Sequence, residues 1–125
     1  MLVEVSNAMR ANVRHEVDIP FRFGGDEFLI LLRRTPLSEA TRIAERLNGS
    51  VRNLSAGEIS LSTGLVEVSP PCSMKVDEIV RWADSLMYMA KRSGGNRICA
   101  MTDAEAALSF TAEGDAEPAP ERRSA

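Results

Sequence analysis

The sequence predicts an α+β fold, because segments with helical spacing of apolar residues alternate with shorter segments typical of β-strands. Three segments carry apolar residues at intervals of three and four, the pattern of an amphipathic helix. A pair of strand-like segments around Gly24-Gly25 and two further short strands complete the pattern. The order is helix, hairpin, helix, strand, helix, strand, which is typical of an α+β layer fold.

The first two elements are a helix and a β-hairpin. Residues 2–14 place apolar side chains on one helical face, at Leu2, Val5, Met9 and Val13. Residues 18–24 and 26–33 then form two strands joined by a turn at Gly24-Gly25. Glycine suits this turn because it adopts positive φ without a Cβ clash.

The second helix and the third strand follow. Thr35-Pro36 starts the helix, since proline is tolerated at the first helical position, and Asn48-Gly49 is a candidate end point. The apolar stripe of this helix consists of Leu37, Ala40, Ile43, Ala44, Leu47 and Val51. Residues 58–68 alternate between the two faces of a strand, with a candidate bulge at Gly64.

The third helix ends in a glycine loop, and a last strand and a tail come after it. Its apolar stripe consists of Val76, Ile79, Val80, Ala83, Leu86, Met87 and Ala90, and Ser93-Gly94-Gly95 ends the helix. Residues 96–101 form the last strand. We assign residues 1–102 to one domain and residues 103–125 to a tail rich in Ala, Pro and Glu. In that tail, residues 112–125 are expected to be disordered.

Composition and charge favour a cytoplasmic protein that does not bind nucleic acid. Hydrophobic residues make up 44% and charged residues 26% of the 125, as in ordinary soluble domains. The net charge of −3 arises in residues 103–125, with six acids and two arginines, whereas residues 1–102 hold twelve acids and thirteen bases. No segment is long and apolar enough to cross a bilayer. Cys72 and Cys99 lack metal-ligand spacing, so we expect a buried free thiol at each.

The segment from Gly24 to Phe28 has the clearest chemistry. Two glycines allow the backbone to approach a ligand closely, and the carboxylates of Asp26 and Glu27 follow at once. Paired carboxylates suit a hard divalent cation such as Mg²⁺. The alternative is a glycine turn with two solvated acids.

Three separated motifs of the chain resemble those of the GGDEF-domain diguanylate cyclases. They are Arg22-Phe23-Gly24-Gly25-Asp26-Glu27-Phe28, the stretch from Ala83 to Lys91, and Gly95-Asn96-Arg97, and the resemblance runs from about Val3 to Met101. It implies an antiparallel sheet flanked by helices, related to polymerase palm domains. It also implies an enzyme of bacterial signal transduction that joins two GTP molecules into cyclic di-GMP.

The resemblance covers only the later part of such a domain. The family's earlier segment, with an Asp that binds metal and the Asn and Asp that hold guanine, has no match in this chain. We therefore expect a domain truncated at its N-terminus. It would be a truncated product, a partial gene or a variant that fills the gap through a partner chain.

The resemblance also implies roles for individual residues. Asp26 would be a metal ligand and the candidate base for a ribose 3′-hydroxyl. Glu27 would be a second candidate for metal binding or transition-state support, with Mg²⁺ or Mn²⁺ as the cofactor. Gly24 and Gly25 would lie against the guanine or ribose. Lys91 would contact the triphosphate, although a lysine in the last turn of a helix also complements the helix dipole.

The glycine loop departs from the family pattern. The family usually has Gly-Arg-Asn, whereas this chain has Gly94-Gly95-Asn96, so Gly95 removes a second phosphate-binding charge. Arg92 is a candidate substitute, but it leaves the helix in another direction. Asp84 and Arg97 are candidates for a structural ion pair.

Many members of the family also carry an inhibitory site for the product. Asp18 matches its upstream acid, but His15 stands where an arginine is expected, and Arg14 lies one place too early. A one-residue bulge would restore Arg14. Arg46 falls at the downstream arginine position, with Arg42 one turn before it on the same face. The alternative is a solvated helix face.

Two functions are therefore expected. The first is a diguanylate cyclase domain that works as a symmetric homodimer with one GTP in each chain, while the isolated 125 residues are inactive. The second is a degenerate module that binds GTP or cyclic di-GMP and serves regulation or dimerisation. The parent protein is expected to carry a sensor or regulatory domain, and to be cytoplasmic or anchored to a membrane.

Overall fold

The computed structural model describes residues 2–14, 16–24 and 27–106. Their contacts divide the chain into two compact units, one up to Leu61 and one from Ser62. The elements are, in chain order, α1 (Leu2–Asn12), β1 (Ile19–Gly24), β2 (Glu27–Leu31), α2 (Leu37–Leu54), β3 (Ser62–Glu67), α3 (Val76–Arg92) and β4 (Arg97–Thr102). The first four belong to the first unit. The predicted α+β class and the order of the elements are confirmed.

The first unit has its core between α1, α2 and one face of the hairpin. The buried side chains are Val5, Ala8, Met9, Leu47 and Val51, and the half-buried Phe28, Ile30, Ile59 and Leu61 pack against them. Intervals of one helical turn place these side chains on one face of each helix. Val51 is fully buried, which stabilises the fold by about 1.5–3 kcal/mol relative to an exposed valine.

β1 and β2 form an antiparallel hairpin whose register changes near its tip. Ile19 lies opposite Leu31, and this register continues to the pair Arg22 and Phe28. Glu27 then lies opposite Gly24, which leaves one extra residue on β1. Such a bulge increases the local twist and changes the direction of the strand. The predicted hairpin is confirmed.

α2 begins and ends differently from the prediction. Pro36 is the N-cap rather than the first helical residue, and the helix continues past Gly49 as far as Leu54. It continues because buried residues lie on both sides of Gly49 and tertiary packing outweighs the low helix propensity of one glycine. Asn48 supports the packing, since its Oδ1 accepts a hydrogen bond from the Leu61 amide at 2.7 Å.

The second unit is built from β3, α3 and β4. β3 and β4 pair in parallel, from Ser62 opposite Arg97 to Glu67 opposite Thr102. The described strands thus form two two-stranded sheets, of which the hairpin is the antiparallel one. The parallel pairing follows from the connection, because α3 packs on both strands and a helical crossover returns the chain in the same direction.

Gly64 allows β3 to lie close against α3. It pairs with Cys99 in an unbroken register, so the bulge predicted at Gly64 is wrong. A Cβ atom at this position would overlap the backbone oxygen of Ala83 and the backbone nitrogen of Met87. Glycine is therefore required by the close approach of the helix backbone rather than by an irregular strand.

The predicted tail is described only at its start. Residues 103–106 are helical, and Ala106 is buried. The expectation of disorder concerns residues 112–125, which lie outside the described residues. In the part of the chain that the structure describes, no helix combines the length and the apolar character needed to cross a membrane.

Candidate functional site

The tip of the hairpin carries the acidic motif. Gly24 and Glu27 form its last pair, and the two residues between them, Gly25 and Asp26, lie outside the described residues. Glu27 begins β2 and is only 6% exposed, which is rare for a glutamate. The β1 bulge lies beside this pair, and bulges often direct side chains into active sites.

The donor chemistry at this tip fits a hard divalent cation. Asp26 and Glu27 are adjacent in sequence and supply the carboxylate oxygens that Mg²⁺ and Mn²⁺ prefer. Of these two predicted ligands, the structure describes Glu27. Among the described residues, no three His, Cys, Asp or Glu side chains come together as a metal site.

The base of the hairpin is closed by an ion pair between Arg14 and Asp18. Nε and Nη2 of Arg14 donate to the two carboxylate oxygens at 3.0 and 2.7 Å, and the Arg14 backbone amide donates to the same carboxylate at 2.8 Å. Nη2 also donates to the carbonyl oxygen of Arg33 at 3.0 Å and to the hydroxyl of Thr35. Arg14 therefore ties the segment before β1 to the segment after β2.

This ion pair is enclosed on its carboxylate side. The Asp18 side chain has no exposed surface, whereas the Arg14 side chain is 36% exposed. Hydrogen bonds from the Arg14 side chain lower the pKa of Asp18 and outweigh the opposing effect of burial, and backbone amides lower the pKa further. The bond to Asp18 likewise raises the pKa of Arg14. Both groups therefore stay charged at neutral pH.

A tight turn absorbs the extra residue between Arg14 and Asp18. The amide of Asp18 donates to the carbonyl oxygen of Arg14 at 2.9 Å, and Glu16 adopts the left-handed region with φ of 65°. The structure thus brings Arg14 and Asp18 together, although Arg14 lies one position too early in the sequence for the pattern of the inhibitory site. His15 lies outside the described residues.

The other residues of the predicted inhibitory site lie on α2. Arg42 and Arg46 are exposed and one helical turn apart. Glu39, also on α2, adds to the electrostatic field that raises the pKa of Arg14. Because Arg14 directs its bidentate edge at Asp18, a ligand for Arg14 would have to compete with that carboxylate.

The second unit carries Lys91 at the end of α3. Lys91 and Arg92 lie in the last turn and are exposed. The Arg92 guanidinium lies 5.8 Å from the ring centroid of Tyr88, a cation–π contact along the helix. Lys91 belongs to the second unit, whereas the hairpin belongs to the first.

The glycine loop after α3 makes a contact that the sequence did not predict. Gly94, Gly95 and Asn96 have φ values of 117°, 71° and 54°. The loop turns back so that Nε of Arg97 donates to the carbonyl oxygen of Gly95 at 3.2 Å. Among the described residues, Arg97 forms this bond rather than the suggested ion pair with Asp84. Three successive residues that tolerate positive φ are the sequence signal for such a loop.

Comparison with known proteins gives a family and several relatives. The sequence model of the family described as "Diguanylate cyclase, GGDEF domain" matches residues 1–97. The uncharacterized protein YtrP of Bacillus subtilis (strain 168) is 35% identical over 98 residues, which are 78% of this chain and 17% of YtrP. Diguanylate cyclase DgcM of Escherichia coli (strain K12) is 37% identical over 84 residues, or 66% of this chain and 20% of DgcM.

A third relative is diguanylate cyclase DosC of Escherichia coli (strain K12). It is 34% identical over 103 residues, which cover 78% of this chain and 22% of DosC. The chain thus spans about a fifth of the length of these relatives. With a family match over residues 1–97 of 125, the chain belongs to the family of GGDEF diguanylate cyclase domains.

Proposed function

We propose that this chain supplies the acidic hairpin and a phosphate-contacting lysine to a diguanylate cyclase domain that joins two GTP molecules into cyclic di-GMP. The burial of Glu27 at the bulged tip, next to Asp26, carries the proposal. A buried acid beside a glycine turn is placed for a ligand more readily than for solvent. Family membership and the diguanylate cyclases among the relatives support the same reaction.

The proposed reaction is nucleotidyl transfer. The ribose 3′-oxygen of one GTP forms a bond to the α-phosphorus of the other, and the bond from that phosphorus to the bridging oxygen breaks, releasing pyrophosphate. The 3′-hydroxyl proton leaves to a base, for which Asp26 is the candidate. A second, equivalent transfer closes the ring. Positioning and charge stabilisation supply most of the catalysis in such reactions.

The chain's own residues have distinct tasks in this proposal. Asp26 and Glu27 would hold Mg²⁺ or Mn²⁺, which supplies Lewis-acid stabilisation of phosphate charge when bound. Gly24 and Gly25, which have no Cβ substituent, would lie against the guanine or ribose. Lys91 offers a point charge to the triphosphate.

Partners and location follow from the chemistry. One GTP in each chain requires two domains face to face, and a symmetric homodimer provides that arrangement. A sensor or regulatory domain on the parent protein would control it. We place the domain in the cytoplasm, to which the thiols of Cys72 and Cys99 are suited. Both thiols are free, and they are half-buried rather than buried as expected.

The isolated 125 residues are expected to form no cyclic di-GMP. They contain no counterpart of the family's other metal-binding Asp or of its guanine-holding residues, so Asp26 and Glu27 supply half of the metal site. Incubation of the purified chain with GTP and Mg²⁺, followed by mass spectrometry, checks this. Product formation would contradict the expected inactivity.

A chimera tests the proposed function itself. Residues 1–106 of this chain replace the matching stretch of DosC, whose remaining sequence supplies the other parts of the domain. We expect the chimera to form cyclic di-GMP and the Asp26→Asn chimera to lose at least about 100-fold in rate. Glu45→Gln, at an exposed acid on α2, is the matched control and should leave the rate unchanged. A folded chimera without product, or a fully active Asp26→Asn chimera, contradicts the proposal.

The second candidate is a degenerate module that binds GTP or cyclic di-GMP without turnover and serves regulation or dimerisation. The observation in its favour is Gly95, which carries no charge where the family has an arginine. Calorimetry with cyclic di-GMP on the chain and on Arg46→Ala tests it. Binding that Arg46→Ala weakens, together with an inactive chimera, supports the module. Absence of binding, or an unchanged affinity, excludes it.

A further inference from the structure

Positive charge is concentrated where α3 ends and β4 begins. Residues 85–102 contain no acid and three cations, Lys91, Arg92 and Arg97, in a chain whose net charge is −3. The C-terminal end of a helix carries a partial charge of only about −0.5. The three cations therefore exceed the negative partial charge at the end of α3.

Asp103, the first acid after this segment, does not supply the missing negative charge to Arg97. Asp103 accepts hydrogen bonds from the backbone amides of Ser69 and Ala104. Arg97 forms its hydrogen bond with the carbonyl oxygen of Gly95, through Nε alone. Among the described residues this is the polar contact that its side chain makes, and Arg97 is exposed. Its two terminal nitrogens are therefore available as donors.

The glycine loop holds this guanidinium beside the end of α3. The amide of Gly94 donates to the carbonyl oxygen of Lys91 at 3.2 Å. A Cβ atom at Gly94 would lie 3.2 Å from Nη2 of Arg97, so the missing side chain leaves the space that the guanidinium lines. Gly95 could not carry a long side chain without strain, because its φ is 71° and its Cβ would lie 3.3 Å from the Ser62 hydroxyl.

Arg92 differs from Arg97 although both are exposed arginines of the same segment. Its guanidinium lies over Tyr88 on the helix, whereas that of Arg97 lies over the loop. A planar guanidinium with free terminal nitrogens can bind a phosphate through two parallel hydrogen bonds.

We propose that Arg97 is a second phosphate-contacting residue, which acts with Lys91 on the triphosphate of GTP. The inference rests on the proposed function, and it assigns to Arg97 the charge that Gly95 lacks. A polyphosphate chain has several adjacent anionic groups, and it can bridge two cations at opposite ends of one short loop. The guanine base is not needed for this contact.

Titration of the ¹⁵N-labelled full chain with inorganic tripolyphosphate at low salt tests the proposal. Tripolyphosphate lacks base and sugar, so its binding is independent of the hairpin and of guanine recognition. We expect the amide signals of Gly94, Gly95 and Asn96 to shift. Arg97→Ala should weaken the affinity about three- to fivefold, and Arg97→Lys should restore part of the loss.

Two further variants separate the possible outcomes. Arg92→Ala removes the same charge from the same segment and should change the affinity much less than Arg97→Ala. Equal losses of affinity in the two variants would mean that only the net charge of the segment matters, and they would overturn the inference. If Lys91→Ala weakens binding while Arg97→Ala does not, the inference is wrong and the proposed role of Lys91 stands. If neither variant weakens binding, the role of Lys91 in the proposed function also fails.

Unfolding of a variant is recognised in the same spectra. Signals from the first unit and from α3 should stay in place in Arg97→Ala. If these signals move, Arg97→Ala is unfolded and the affinities of the wild-type chain and Arg97→Lys are compared instead. The lysine keeps the positive charge but lacks the paired donors of the guanidinium. An unchanged affinity in Arg97→Lys would then contradict bidentate contact.

Discussion

The hairpin of the first unit holds two buried acids, at opposite ends and in different surroundings. Asp18 at the base is 5% exposed, and Glu27 at the tip is 6% exposed. The carboxylate of Asp18 is enclosed by donors from both sides of the hairpin, with Arg14 as its cation. Glu27 instead adjoins a bulge and the Gly25-Asp26 connection. Two equally buried acids therefore have different roles: Asp18 stabilises the base of the hairpin, and in our proposal Glu27 serves the chemistry at its tip.

The largest loss of stability is expected outside the hairpin, at Gly64 in β3, and it gives a scale for the smaller effects in the hairpin. Gly64→Ala places a methyl group against the backbone of α3, which cannot move without separating helix and strand. We expect the free energy of unfolding to fall by about 3 kcal/mol, measured by urea denaturation. The control is Gly49→Ala, in open space on α2, which should stabilise the chain by about 0.5–1 kcal/mol. Similar values for both variants would contradict the close approach.

The base of the hairpin should show the next largest effect. Asp18→Asn keeps the shape of the side chain but removes the charge that accepts the Arg14 bonds. We expect a loss of about 2 kcal/mol in the free energy of unfolding, since hydrogen bonds to a charged, enclosed group are lost. Glu45→Gln, at an exposed acid, should change stability very little. A loss below about 0.5 kcal/mol in Asp18→Asn would remove the structural role of the ion pair.

The same ion pair predicts how stability depends on pH. The pKa of Asp18 is lowered from its usual 3.8, so its contribution to stability is complete above that value. The contribution is lost as the pH falls further, through the pKa of the folded state. The difference in unfolding free energy between wild type and Asp18→Asn should therefore shrink below about pH 4. A difference that grows on acidification would contradict the assignment.

A smaller gain should come from the turn that joins Arg14 to Asp18. Glu16 adopts φ of 65°, where a side chain is unfavourable and glycine is not. We expect Glu16→Gly to raise the free energy of unfolding by about 0.5–1 kcal/mol in the same denaturation experiment. If this variant is destabilised, the turn is held by contacts of the Glu16 side chain instead.

The sequence predicted the type and order of the elements well and their end points less accurately. Apolar periodicity predicted α1, α2, α3 and the hairpin, since burial of one face determines these elements. It extended β3 back to residue 58, whereas the strand begins at Ser62, because alternation continues in a segment that packs without pairing. Parallel pairing of β3 and β4 depends on how α3 packs, which no local pattern encodes.

Part of the candidate site could also be named from local sequence patterns. The motif and Lys91 are contiguous patterns, so the residues could be named before the fold was known. Arg33 and Thr35 at the base of the hairpin were missed, because a carbonyl oxygen and a single hydroxyl carry no motif. The sequence offered Asp84 as a candidate partner for Arg97, whereas the turn of the glycine loop brings Arg97 to the carbonyl oxygen of Gly95.

The comparison of Asp18→Asn with Glu27→Gln in the DosC chimera tests the central claim most directly, with the melting temperature and the rate of cyclic di-GMP formation measured on the same samples. Glu27→Gln should lose at least about 100-fold in rate while remaining folded. Asp18→Asn should melt several degrees lower and keep its rate within about twofold at a temperature where it is folded. The opposite pattern, with a lost rate in Asp18→Asn and a retained rate in Glu27→Gln, would contradict the division between structure at the base and chemistry at the tip.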